Sequence, residues 1–178
     1  MRKLVWDEER MRDRVLAARG ETLPALVLKN ARVVNVFTEE IERGDVAIED
    51  GCIVGVGSYR GRTEVELGNA YVCPGLIDGH IHLESSMIAP PEFERAVLPH
   101  GTTAVAADPH EIANVAGTAG IEYMLRTTEN LALDVFLMLP SCVPATNLDE
   151  AGAALGAREL EKYYENPRVL GLAEMMNA

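Results

Sequence analysis

Between Pro74 and Ser86 the chain reads PGLIDGHIHLESS, with His80 and His82 two residues apart beside Asp78 and Glu84. Side chains two positions apart in a strand share a face. Asp78, His80 and His82 would therefore point one way, and Ile77, Gly79 and Ile81 the other. Two imidazoles so placed near a strand end can converge on one divalent cation, for which neutral histidine nitrogen is the commonest side-chain ligand. A hydrogen-bonded polar pair in a core is the other reading, because a buried polar group must find a partner of some kind.

The remaining histidines and isolated carboxylates bear on this choice. All four histidines of the chain, His80, His82, His100 and His110, lie within residues 80–110. Asp108, His110 and Glu111 form a DPHE cluster directly after the apolar run TTAVAA, a position from which side chains reach a site. Glu174 stands alone in VLGLAEMMN, where a carboxylate has to be paired, protonated or bound to metal. Glu84 divides evenly between holding metal or substrate and capping the next helix. His100, just before Gly101, reads as a structural helix end, and Met175 and Met176 read as core.

The elements that must carry these residues are legible as changes of period. Leu4, Met11, Val15 and Ala18 recur at helical spacing among charges, which predicts an amphipathic helical arm within residues 1–24. Residues 25–73 are Val/Ile-rich runs separated by Gly, Asn and Asp, a small β unit with a hairpin turn at EDG. From residue 74 to 178 strands and helices alternate. GLIDGHIHL, TTAVAADP, LDVFLMLP and RVLGLAEMM are the strands; PPEFERAVLPHG, IANVAGTAGIEYMLRTT and LDEAGAALGARELEKYY are the helices. Apolar strands alternating with helices predict a parallel α/β sheet buried on both faces.

Composition removes several classes of function. With 16 Lys+Arg against 28 Asp+Glu the net charge is −12, which repels nucleic-acid backbones and anionic membrane surfaces. The first twenty residues carry charges too often for a secretion signal, and no run approaches the length of a membrane span. Cys52, Cys73 and Cys142 are odd in number and widely spaced, as expected of reduced thiols in a cytoplasmic protein.

PGLIDGHIHLESS resembles the first-strand motif of the amidohydrolase superfamily, and ADPHEIANVAG with LGLAEMMN resembles the adenine deaminases within it. The resemblance implies a TIM-type (β/α)8 barrel beside a small β-sandwich, and hydrolysis of adenine to hypoxanthine and ammonia by a hydroxide held on a divalent metal. It implies a binuclear centre of manganese, iron or zinc, with His80 and His82 as ligands and Glu174 as the bridging carboxylate. Catalytic roles then fall to Glu174, His110 and Glu111, and substrate contacts to Glu84 and Asp108. Another amidohydrolase acting on cyclic amides, or a catalytically silent binding protein, is the alternative.

A closed barrel needs about 250 residues. Residues 74–178 supply only three strand–helix units and a fourth strand, and the family's later ligands, two histidines and an aspartate, have no counterpart in this chain. The chain thus resembles the N-terminal portion of such an enzyme, inactive alone. Its expected partners are a purine base and either further copies of itself or a complementing C-terminal portion.

Overall fold

The computed structural model describes residues 7–176. Leu4, part of the expected N-terminal helix, lies outside them. The chain divides after Pro74 into two compact units.

In the first unit, helix α1 (Glu8–Ala18) starts where the Asp7 carboxylate accepts from the Glu9 amide at 3.0 Å. That bond satisfies one of the donors that every helix start leaves free. Strands β1 (Leu26–Asn35), β2 (Glu40–Glu49), β3 (Cys52–Gly57), β4 (Thr63–Glu66) and β5 (Tyr71–Val72) form one sheet. β1 is central, antiparallel to β2 and parallel to β4 and β5. The expected β2–β3 hairpin turns at Asp50 and Gly51, whose φ angles of 49° and 71° suit the primed turn that short hairpins favour. Helix α1 packs on β2 and β3 and is tied to this turn: Arg10 Nε and Arg14 Nη2 donate to Asp50 at 2.7 and 2.6 Å.

The second unit is a parallel sheet in the order β6 (Leu76–Ile81), β7 (Thr102–Ala107), β8 (Asp134–Leu139), β9 (Val169–Leu172). Helix α2 (Pro90–Val97) links β6 to β7, and α3 (His110–Ala116) and α4 (Thr118–Thr127) link β7 to β8. The core is built from Val105 and Ala107 of β7, Val135, Leu137 and Leu139 of β8, and Ile121 and Met124 of α4.

Four expectations need correction. Burial on both faces is not found: β7 and β8 bury one face, through Val105 and Ala107 and through Val135, Leu137 and Leu139, while their other face is only part-buried, and on the edge strand β6 Leu76 and Ile77 are 60% and 73% exposed. The segment 112–128 is two helices rather than one, broken at Gly117, whose φ of 60° and ψ of −138° leave the helical region. The helix expected across 148–164 shrinks to α5 (Ala157–Leu160) and a 3-10 turn at Glu161–Tyr163. Its first part runs irregularly because its backbone bonds elsewhere: Gly152 and Ala153 donate to the Asn114 carbonyl, and Leu155 to that of Val143. Met175 and Met176, expected in the core, are exposed beyond the end of β9.

Candidate metal centre

The candidate residues gather at the carboxyl ends of the parallel strands, where α/β sheets build their sites. β6 delivers His80 and, just past its end, His82; the turn after β7 delivers Asp108, His110 and Glu111; the segment after β9 delivers Glu174. The three imidazoles follow one another edge to face, with ring centres 4.9 Å apart for His80–His82 and 4.5 Å for His82–His110.

One contact assigns the His82 proton. Its Nδ1 lies 2.8 Å from the Asp108 main-chain carbonyl oxygen, which can only accept. In the neutral ring Nδ1 is therefore the donor, and Nε2 presents its lone pair to the site. That Nε2 stands 3.2 Å from His80 Nε2. Two nitrogens bound to one ion at about 2.0–2.1 Å are separated by roughly 2.9–3.4 Å for angles between square and tetrahedral. The pair is spaced as metal ligands would be.

The carboxylates complete the set. Glu174 Oε1 is 3.6 Å from His82 Nε2 and 3.8 Å from His110 Nδ1, and its Oε2 is 3.8 Å from His80 Nε2. One ligand atom from each of His80, His82, Asp108 and Glu174 falls within 4.8 Å of the others. His82, His110 and Glu111 form a second such group. However, His82 meets Glu111 through Nδ1, at 3.3 Å, the nitrogen whose N–H donates to the Asp108 carbonyl. The first group is therefore the better cation site. Buried oxygens of Glu84, Asp108 and Glu111 also lack a hydrogen-bond partner among the described residues. Such oxygens are costly in a core, and a cation or a ligand proton would satisfy them.

The electrostatics follow from burial against partners. Burial pushes the Asp108 carboxyl up, opposed by His110, whose Nδ1 is 3.2 Å from Asp108 Oδ2. Burial raises Glu84 too, with Glu111 adding repulsion. Glu111 itself ends below the usual carboxylate range: its desolvation is outweighed by the Ser85 hydroxyl at 2.8 Å and by His82 and His110. For His82, desolvation is outweighed by the Asp108 carbonyl and by the carboxylates of Glu111, Asp108 and Glu174, so its pKa is raised.

His80, His82, Asp108, His110, Glu111 and Glu174 thus come together. Asp78 does not join them; its carboxylate accepts from the His80 amide at 3.1 Å. Glu84 acts as a cap through Oε1, which accepts from the Ile112 amide at 3.0 Å. The capped helix is α3, which follows the neighbouring strand, rather than the next one along the chain. His100 sits in the turn that precedes β7, at the opposite end of the strand from the cluster. Two serines that sequence reasoning left unassigned touch the site: Ser85 on Glu111, and Ser141, just past β8, on the Glu174 main chain. A polar residue at the carboxyl end of an apolar strand was the signal available for Ser141.

Among the described residues no helix is long and apolar enough to cross a membrane. Over 167 residues, 94% of this chain and 29% of the relative, the chain is 54% identical to an adenine deaminase of Geobacillus kaustophilus. It is 57% identical, with the same coverage, to adenine deaminase 2 of Carboxydothermus hydrogenoformans. It therefore spans under a third of the length of these curated relatives. In fold it is similar to the zinc complex of an atrazine chlorohydrolase from Arthrobacter aurescens, with a TM-score of 0.61 and 17% identity over 86% of this chain and 48% of that one. The class is α/β, with the TIM-barrel type of such neighbours. The profile described as the Amidohydrolase family matches residues 71–177, the stretch that carries every one of the clustered histidines and carboxylates, and the chain belongs to that family.

Proposed function

We propose that the chain supplies the N-terminal part of a metal-dependent adenine deaminase, which hydrolyses adenine to hypoxanthine and ammonia. The observation that carries this reading is the 54–57% identity to two adenine deaminases across 94% of the chain. On this reading residues 1–24 would form a helical arm, of which Glu8–Ala18 is the described helix, 25–73 a β-sandwich segment, and 74–178 the first four strands of a (β/α)8 barrel. The exposed edges at β6 and β9 are where further copies, or a complementing C-terminal portion, would add strands.

His80, His82 and Glu174 would hold a divalent ion, manganese, iron or zinc, in a centre that becomes binuclear when the later strands add their ligands. Such an ion lowers the pKa of water from 15.7 to roughly 7, providing a nucleophile for the purine C6 near neutral pH. The Asp108 carbonyl holds the His82 ring in the tautomer that offers Nε2. Glu174, beside all three imidazoles, can accept a proton from the attacking water. Glu111, ionised and steadied by Ser85, and His110, paired with Asp108, can pass a proton toward the ring nitrogen and the departing ammonia. Asp108 and Glu84 each keep an oxygen without a partner among the described residues, which could meet the base edge.

The test is an exchange. This chain replaces the matching segment of the Geobacillus kaustophilus enzyme, and hypoxanthine and ammonia are measured from adenine with Mn(II) present. Turnover by the chimera, its loss in His80→Ala/His82→Ala, and none by the 178-residue chain alone are the expected results. A folded, metal-loaded chimera without turnover, beside an active parent, would refute the assignment.

A further inference from the structure

We infer that Ser141 is a positioning residue that sets the Glu174 carboxylate against His80 and His82. The inference rests on the metal reading given above and extends it to a side chain that holds no metal itself. Glu174 lies past the last residue of β9, so strand pairing does not fix it. Among the described residues its carboxylate meets the imidazoles only at 3.6–3.8 Å, beyond hydrogen-bond length. The place of that carboxylate is therefore decided by where its main chain runs.

The segment after β8 decides it. The Ala173 amide donates to the Leu139 carbonyl at 2.8 Å, the last bond of the ladder. One residue further the Ser141 hydroxyl donates to the Glu174 carbonyl at 2.7 Å. The Met176 amide then donates to Cys142 Sγ at 3.4 Å. Pro140, Cys142 and Val143 are buried, so the hydroxyl projects from a fixed base and not from a free loop. Side chains of the β8 loop thereby continue the β8–β9 pairing for two residues beyond the sheet, across the residue that must face the imidazoles. Without the hydroxyl, Glu174 keeps its chemistry but loses the restraint on its main chain, and an ion then has to order it on binding.

Mn(II) binding to the 178-residue chain, followed by the loss of the free-ion EPR signal, tests this. Ser141→Ala is expected to weaken Mn(II) about three- to tenfold, the range one neutral hydrogen bond supports. Ser141→Thr, which keeps the hydroxyl, should come back to within about twofold of wild type on the same grounds. In a Glu174→Gln background, Ser141→Ala should add no further loss, because the coupling runs through that carboxylate. Wild-type affinity in Ser141→Ala overturns the inference while leaving the metal reading standing. So does a loss that persists undiminished beside Glu174→Gln, which would mark a general loosening of the fold. A wild-type chain that retains no Mn(II) overturns the metal reading, and this inference with it.

Discussion

Replacing Gly120 by alanine sets two effects of known sign against each other. Gly120 lies in the first turn of α4, and a Cβ built there would stand 2.7 Å from the Ile112 carbonyl oxygen and 2.9 Å from its carbon. Both atoms are main chain of α3, so no rotamer change relieves the overlap. An ordinary carbon–oxygen contact is longer by roughly half an ångström, and overpacking of this kind costs about 1–3 kcal/mol. Alanine in place of glycine favours a helix by at most about 1 kcal/mol, and by less in a first turn. The clash wins, and Gly120→Ala should destabilise the second unit by about 0.5–2 kcal/mol. With a urea slope of about 1–3 kcal/mol per molar, the far-UV dichroism midpoint should fall by roughly 0.3–1 M. Ala119→Gly, at the exposed neighbouring position in the same first turn, is the control: it should lower stability by propensity alone, about 0.5 kcal/mol. A Gly120→Ala chain at least as stable as wild type, beside an Ala119→Gly chain that is weaker, would refute the close α3–α4 packing.

Two further outcomes follow from the structure. Asp50, held by Arg10 and Arg14, has its carboxyl lowered to about 2 from 3.8, so the contribution of this pair to docking α1 is fully present above pH 3.8 and is lost as pH falls toward 2. Amide-exchange protection of α1 should drop across that window, and Asp50→Asn should give the low-pH level already at pH 7. Protection factors of α1 that stay unchanged from pH 5 to 2 would contradict the pairing. Leu137, wholly buried at the centre of β8, should cost about 2–5 kcal/mol when cut to alanine, read as a lower urea midpoint; a loss well under 1 kcal/mol would contradict its place in the core.

What the sequence determined by itself is what local chemistry determines. Alternation of apolar strands with helical spacing predicted the parallel pairing found among β6, β7, β8 and β9, because a strand and its crossover are read within one short segment, whereas their sequential order was implied only by the family resemblance. The EDG turn was legible for the same reason, since positive φ at Asp50 and Gly51 is a property of those residues in a tight turn. His80 and His82 were legible as a pair because two-residue spacing on a strand leaves little freedom, and their Nε2 atoms do meet at 3.2 Å.

Distance along the chain limited the rest. That Glu84 caps α3 depends on the docking of neighbouring strands, which brings a carboxylate to an amide 28 residues away. The break at Gly117 lies in that residue's φ of 60° and ψ of −138°, and the irregular course of residues 148–156 was decided by the bonds its backbone finds at the Asn114 and Val143 carbonyls, which outweigh the segment's helical propensity. The His82 tautomer needed the Asp108 carbonyl from the next strand. The Glu174 main chain is held at the end of β8 by the Ser141 hydroxyl, a contact between residues 33 positions apart that no local pattern encodes.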